Sequence, residues 1–318
     1  MKPLDAIEFL SSIPLASHFT VALPESEDSR VQAAAQTLLQ AGGSVWLWKN
    51  SQKKKRQEHP RLTWVSSDLY EEPVYQTLQT RLPPGKYAEA DLRQKARSPL
   101  YQACWLLAQG KVDTALAGAV TPTADVIRAG LMLLGLAEGV KTVSGAFFLE
   151  KGSEQYVFSD CGVVITPTES QLVDIAAAAA HFYQRITGKN PQVAFLSFST
   201  HGSAQHPLAE NTRRAAQVFH ERYPHISSDG ELQVDAALDL TIRQRKAPHS
   251  PLVDTANVLV FPNLEAGNIA YKLMQRLGGF SAYGPILQGF ARPLSDLSRG
   301  ASAQDIVAAA YLTALSLK

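Results

Sequence analysis

The stretch Phe19–Trp48, FTVALPESEDSRVQAAAQTLLQAGGSVWLW, holds a short apolar run, a periodic segment and a second apolar run in close succession. Phe19 to Leu23 has strand character. From Asp28 to Ala41 the residues Val31, Ala34, Ala35, Leu38 and Leu39 fall on one face of a 3.6-residue repeat, and Ser44 to Trp48 is strand-like again. This is a βαβ unit, and it predicts an α/β fold with a parallel sheet. Later segments keep the alternation. Thr114 to Val120 reads as a strand, and Thr123 is placed to cap a helix running through Leu136. Phe147 to Leu149, Tyr156 to Phe158 and Val163 to Ile165 read as short strands of an antiparallel patch. Thr168 with Gln171 has the form of a capping box, opening a helix with Leu172, Ile175, Ala176, Ala179 and Phe182 on one face until Gly188. Val193 to Leu196 and Val258 to Phe261 are wholly apolar, as strands covered on both faces are.

A chain of 318 residues exceeds one hydrophobic core, which predicts two lobes with a site in the cleft between them. With no low-complexity linker and no internal repeat, the expected lobes are 1–142 with 287–318, and 143–286, joined by chain crossings. Lys and Arg number 30 and Asp and Glu 29, a balance that gives no attraction to nucleic acid or an anionic membrane. The basic run Gln52-Lys-Lys-Lys-Arg56 reads as a solvated loop. Cys104 and Cys161 sit in apolar contexts with no metal-ligand spacing, which predicts no structural metal. No apolar run approaches the roughly 20 residues of a membrane span, and a soluble cytoplasmic protein is expected.

Four polar segments follow strand-like runs: Gly118–Asp125, Ser197–Ser203, Pro262–Asn268 and the loop around Ser298. Ligands of open α/β sheets bind beyond the carboxyl ends of strands, so these loops are the candidates for a site. Taken singly, each also fits an ordinary helix cap. The last is the richest. Ser298 and Arg299 precede Gly300, and Ser302 then opens the final helix with Asp305 in its first turn. A hydroxyl able to polarise a carbonyl, a forked cation able to grip a phosphate and a carboxylate able to accept a proton suit acyl transfer to or from phosphate. The three-residue spacing of Ser302 and Asp305 is equally that of a capping box.

These motifs resemble, in identity and order, the phosphate acetyl/butyryltransferase family. The resemblance is carried by Leu23–Arg30, Ala117–Val120 with Thr123–Asp125 and Arg128, Leu196–Ala204, Asp229–Ala237, Ala256–Asn268, Tyr271–Gly279 and the Ser298 loop. Ser203–Pro207 and Leu264–Asn268 look most like its short ethanolamine-utilisation branch. The resemblance implies an isocitrate/isopropylmalate dehydrogenase-like fold and phosphate acetyltransferase activity, in which acetyl passes between acetyl phosphate and coenzyme A without metal or acyl-enzyme. It casts Asp305 as the base for the coenzyme A thiol, Ser298 as donor to the developing oxyanion, and Arg299, Arg128 and Arg81 as phosphate ligands. Thr123, Ser199 and Thr200 would line the site. Coenzyme A enters as co-substrate, and a homodimer built through the second lobe is the family's usual state, which the apolar face of Leu172 and Ile175 would permit.

Around Arg81 the chain departs from its relatives, which carry Arg-Lys-His-Lys-Gly where this sequence has Arg81-Leu-Pro-Pro-Gly85-Lys86. Residues 49–80 match poorly and contribute no expected site residue. Other readings stay open: a propionyl or butyryl transferase, or a non-catalytic protein that senses an acyl phosphate or coenzyme A. A Ser/His hydrolase using His201 or His206 lacks a Gly-x-Ser-x-Gly elbow, and Cys161 reads as packing. Met1 to Leu10 fits either a first helix of the domain or a segment targeting a bacterial microcompartment.

Overall fold

The structure is a computed structural model that describes residues 19–49 and 58–315. The lysine run at 52–56 and the Met1–Leu10 segment lie outside the described residues. Eleven strands occur among the described residues: β1 (Thr20–Leu23), β2 (Ser44–Trp48), β3 (Leu62–Val65), β4 (Thr114–Ala117), β5 (Ser144–Lys151), β6 (Glu154–Ser159), β7 (Gln192–Leu196), β8 (Ser227–Leu232), β9 (Val258–Val260), β10 (Ser281–Gln288) and β11 (Leu294–Asp296). The chain divides into two compact units. One is Gly139–Gly289, and the other joins the described residues before 139 to those after 289. No described helix is long and apolar enough to cross a membrane.

In the unit that contains both ends of the described chain, five parallel strands are ordered β11-β4-β1-β2-β3. Helix Ser29–Gln40 buries Val31, Ala34, Ala35, Leu38 and Leu39, the face that its spacing predicts. The final helix, Ala303–Leu315, is buried continuously from Ile306 to Ala314, and its Tyr311 ring meets Phe19 with centroids 4.9 Å apart. From β1 the chain moves outward to β2 and β3, then returns to the other side of β1 as β4. That reversal opens a crevice beyond the carboxyl ends of β1 and β4, the general ligand position of open α/β sheets. β11 lies beside β4, with Asp296 in register with Ala117, so the strand preceding Ser298 ends at the same edge.

Helices Ser67–Arg81, Glu89–Arg97 and Pro99–Ala108, together with β3, fill the region that periodicity leaves unread. Polar core contacts mask the pattern there. Gln102 is fully buried, donating to Ser67 O at 2.7 Å and Ala96 O at 2.8 Å while accepting from Trp48 Nε1 at 2.8 Å. With its polar atoms paired inside, an amide occupies an apolar position at little cost.

In the Gly139–Gly289 unit, six strands run β10-β5-β6-β9-β7-β8, antiparallel from β10 to β6 and parallel from β6 to β8. Both wholly apolar strands are buried, as expected. Helix Glu169–Thr187 has the Thr168/Gln171 capping box and stops at Gly188, whose φ of 69° is left-handed. Val163 to Ile165 forms no strand. The Asp160 carboxylate instead accepts from the amides of Gly162, Val163 and Val164, at 2.7, 3.1 and 2.6 Å, which removes those N–H groups from any ladder.

The helix after β4 is Thr123–Leu133, three residues shorter than predicted, and Pro122 rather than Thr123 holds its N-cap position. Leu134 N closes on Gly130 O, and Gly135 turns the chain away with φ 74°. Gly130 lets this helix approach β11: an added Cβ would lie 2.7 Å from Leu294 Cδ2 and from the Phe290 ring. Gly130→Ala should therefore cost about 1–3 kcal/mol in urea unfolding, because overpacking outweighs alanine's helix preference. Equal or greater stability in the variant would mean that the Leu294 and Phe290 side chains yield freely.

Candidate active site

The carboxyl ends of β1, β4 and β11 lead into three loops tied together by two side chains. Glu25, two residues past β1, accepts from the amides of Ala119 at 2.7 Å, Val120 at 3.2 Å and Thr121 at 2.7 Å. The loop after β4 is thereby gathered around a protein carboxylate, and those amides are occupied. Arg30, in the first turn of helix Ser29–Gln40, donates to Ala119 O at 3.0 Å, to Arg299 O at 2.6 Å and to Ala301 O at 3.0 Å. Its guanidinium is oriented by Asp28, which accepts from Nε at 3.0 Å and Nη2 at 2.7 Å. The same hydrogen bonds hold the Asp28 carboxyl below the usual carboxylate range.

Asp296 sits at the end of β11 with only 2% of its surface exposed. Its Oδ2 accepts from Thr123 Oγ1 at 2.5 Å, whereas its Oδ1 is buried without a hydrogen-bond partner. Only glycine fits opposite: a Cβ on Gly118 would be 2.1 Å from Oδ1, and Gly118 has φ 109°. A buried carboxylate with one donor lacks most of the hydration it had in water. Burial accordingly pushes the Asp296 carboxyl up to about 7; the Thr123 hydrogen bond opposes the rise, Glu25 adds to it, and the neighbouring Leu297 amide and Arg299 work against it.

Ser298, Arg299 and Gly300 form the exposed tip of the next loop. Ser298 Oγ accepts from Gly300 N at 3.2 Å, and Ser298 O accepts from Ala301 N at 2.9 Å, a compact turn whose described bonds do not use the Ser298 hydroxyl hydrogen. Asp305 is half-buried and does form the capping box: its Oδ2 accepts from Ser302 N and Ser302 Oγ, both at 2.8 Å, while Asp305 N donates to Ser302 Oγ at 3.2 Å. None of these bonds uses Oδ1. Arg128 is exposed and ion-paired with Asp125 one turn earlier in its helix. Arg81 donates to Leu133 O and, at 3.4 Å, to Leu134 O, the carbonyls that end helix Thr123–Leu133. A cation there complements the helix dipole, so Arg81 has a structural partner already.

Ser199 and Thr200 belong to the Gly139–Gly289 unit, and both are buried. Ser199 Oγ donates to Glu231 Oε1 at 2.9 Å, and Gly202 N reaches the same oxygen at 2.7 Å. Thr200 Oγ1 donates to Gln233 Oε1 at 3.2 Å and accepts from Gln233 N at 3.0 Å. Here the hydroxyls organise their own loop. His201 pairs with Asp229 at 2.9 Å, with no serine completing a relay to it among the described bonds. Burial pushes the Cys104 thiol up to about 12 and raises Cys161 as well, which keeps both protonated and unreactive.

Arg30, Glu25 and Asp296 are the residues that sequence reasoning left without a role. Each had a trace: the first two lie inside Leu23–Arg30, and Asp296 stands two residues before Ser298. What spacing does not show is which backbone groups they reach across the sheet edge.

Residues 8–314 match the family described as Phosphate acetyl/butaryl transferase. A phosphate acetyltransferase from Paracoccus denitrificans is 42% identical over 330 aligned positions that span 100% of both chains. Among solved structures, the EutD phosphotransacetylase from Staphylococcus aureus superposes with a TM-score of 0.86 at 34% identity, covering 98% of each chain. A structure from Salmonella typhimurium described as a 4-hydroxythreonine-4-phosphate dehydrogenase has a TM-score of 0.51 at 11% identity, over 94% of this chain and 99% of that one. It shows the likeness of fold alone, in line with the dehydrogenase-like fold expected.

The buried carboxyl has a measurable consequence for stability. Asp296 titrates at about 7 in the fold, whereas an unperturbed aspartate titrates near ~3.9. The folded state therefore holds the extra proton between these values. Its contribution is fully present below ~pH 4 and is lost as pH rises through about 7, a decline on the order of 4 kcal/mol. Asp296→Asn, which cannot ionise, should gain on the native chain across that interval and keep a constant advantage above it. Urea unfolding of both chains at a series of pH values checks this, and a stability difference independent of pH would refute it.

Proposed function

The chain belongs to the phosphate acetyl/butaryl transferase family, and from that premise we propose how its residues carry the reaction. It is a phosphate acetyltransferase, moving acetyl between acetyl phosphate and coenzyme A. One observation carries the assignment of the site: Ser298 and Arg299 are presented at the exposed tip of a loop whose carbonyls are fixed by Arg30, with Asp305 in the first turn of the following helix.

In this reading the Oδ1 of Asp305 takes the proton of the coenzyme A thiol. A free thiol has a pKa near ~8.5, so little thiolate exists at neutral pH without a base. The thiolate sulfur then bonds to the acetyl carbonyl carbon. Negative charge moves to the carbonyl oxygen, where the Ser298 hydroxyl hydrogen stabilises it. As the carbonyl reforms, the bond to the phosphate oxygen breaks and phosphate departs with the electron pair. Arg299 holds the phosphoryl oxygens because a planar guanidinium matches them in two places, with Arg128 released from Asp125 to assist. Thr123, at the start of its helix, adds a hydroxyl to the same anion site, whereas Arg81 holds the carbonyls that end that helix and Ser199 and Thr200 hold their own loop. The capping box does not compete with this role, since it uses Oδ2 alone.

We also propose that a second copy of the chain covers helix Leu264–Arg276. Ile269, Leu273 and, just past the helix, Leu277 are exposed at four-residue spacing, Leu277 by 83%, beside the sheet-edge strand β10. Leu172 and Ile175, the earlier candidates for this contact, are fully buried within their own unit. The Ser203–Pro207 and Leu264–Asn268 motifs support placing the enzyme in ethanolamine utilisation, in the cytoplasm or a microcompartment within it.

Phosphate-dependent release of free thiol from acetyl-coenzyme A by the purified chain is the direct assay. Asp305→Asn should lower kcat by about 10² or more and Ser298→Ala by ~10² to 10³, with modest effects on KM. Full turnover in Asp305→Asn would reduce that residue to a helix cap. Propionyl- and butyryl-coenzyme A in the same assay should turn over more slowly than acetyl. Leu273→Asp should halve the mass seen by light scattering, and a native chain that already runs as a monomer would remove the dimer.

A further inference from the structure

We propose that Asp296 is a positioning residue that decides, by holding or releasing one proton, whether the Thr123 hydroxyl offers its hydrogen to a phosphate oxygen. The proposal rests on Thr123 belonging to the phosphate site described above. Two oxygens 2.5 Å apart, one a carboxyl and one a hydroxyl, form a single hydrogen bond that runs in either direction. With Asp296 ionised, the Thr123 hydrogen points inward to Oδ2, and outward the hydroxyl presents only lone pairs. Those repel an anion. With Asp296 protonated at Oδ2, the carboxyl donates to Thr123 Oγ1, and the Thr123 hydrogen is free to turn outward. The hydroxyl then becomes a donor at the first position of helix Thr123–Leu133, where the backbone field already favours negative charge.

Several features suit Asp296 to this work. It is 2% exposed, so it reaches no substrate itself and acts through Thr123, which is half-buried. Oδ1 is buried with no hydrogen bond of its own, the nearby Leu297 amide being bonded to Ala117 O, and Gly118 leaves no room for a side chain that would supply a donor. The charged groups facing it oppose one another: Glu25 from the β1 loop favours the proton, and Arg299 from its own loop disfavours it. Arg30, which joins the loop after β4 to the loop after β11, is already neutralised by Asp28. Burial leaves the carboxyl titrating at about 7, so both states are populated near neutral pH. A phosphate bound at Thr123 brings further negative charge, which draws in the proton. Phosphate binding and proton uptake from water are therefore linked, by at most one proton per site.

The test measures the KM for phosphate in thiol release, with the full-length chain, from about pH 6 to about pH 8.5, spanning the window in which Asp296 titrates. Phosphate's own ionisation is common to all variants and cancels in a ratio at each pH. Asp296→Asn presents a permanent N–H to Thr123, so the ratio of native to variant KM should rise about tenfold across the range, as expected for losing one hydrogen bond to a charged group. The ratio of kcat values should not follow it. Thr123→Val should raise the phosphate KM about tenfold at the acid end and little at the alkaline end, and Thr123→Ser should restore the native profile. A second readout does not need turnover. Calorimetric titration of inorganic phosphate in two buffers of different ionisation enthalpy should show extra proton uptake near neutral pH in the native chain and none in Asp296→Asn. Parallel KM profiles in the native chain and Asp296→Asn would overturn the proposal, as would Thr123→Val with native phosphate KM throughout, or equal proton uptake in calorimetry. Thr123→Val carries the test alone if Asp296→Asn does not fold. A native chain that releases no thiol overturns the acyltransferase reading instead, while proton uptake still decides the role of Asp296. Absence of phosphate binding at any pH removes both.

Discussion

The Arg30 guanidinium is the contact on which the candidate site depends. Loops after parallel strands have no ladder partner to fix them, and three such loops meet at the ends of β1, β4 and β11. Arg30 reaches carbonyls on two of them, Ala119 on one and Arg299 and Ala301 on the other, from a helix that follows the third. Asp28 orients it, and this pair costs little in desolvation because it is not fully buried. Glu25 completes the arrangement from the amide side. Carbonyls bound to a cation and amides bound to an anion leave the loop backbones with few groups free to rearrange, and the exposed side chains of Ser298 and Arg299 inherit that order.

Periodicity reads best where burial is one-sided. Val31 to Leu39 and Leu172 to Phe182 each show one apolar face and fold as that face predicts. Where polar side chains enter the core, as Gln102 does, the same reasoning fails, because hydrogen bonding replaces hydrophobicity as the reason for burial. Val163 to Ile165 fails for a related cause: β-branched residues suit a strand, but the Asp160 carboxylate takes the amides of Val163 and Val164 first. Asp296 hides in another way. In sequence it is one acidic residue beside a polar loop, and only the parallel pairing of β11 with β4 carries it inward over Gly118. Ser298, Arg299 and Asp305 stand out in the sequence because functional groups crowd a short loop; their supports come from distant segments that no spacing connects.

Hydroxyl-rich loops at strand ends turn out to be of two kinds. In the Ser197–Ser203 loop, Ser199 and Thr200 face inward and bind Glu231 and Gln233, so that the hydroxyls act as scaffold. At the ends of β4 and β11, scaffolding is done by Glu25 and Arg30, and the hydroxyls of Thr123 and Ser298 lie at the partly exposed edge. The difference is one of supply. A loop whose backbone is held by charged side chains from elsewhere can leave a hydroxyl hydrogen, as at Ser298, for a ligand.

That division also explains why a costly carboxyl persists at the end of β11. An asparagine at 296 would avoid the desolvation of a charge, and a leucine would bury well, yet either would fix the Thr123 hydroxyl in a single relation to its neighbour. The carboxyl alone among these can donate or accept at the same oxygen within the pH range where phosphate exchanges its own proton. Stability lost to a buried ionisable group is characteristic of sites whose chemistry requires two states, since a group satisfied in both would not respond to the ligand. The orphaned Oδ1 and the glycine opposite it are consistent with that requirement: a donor placed there would hold the ionised form and leave Thr123 turned inward.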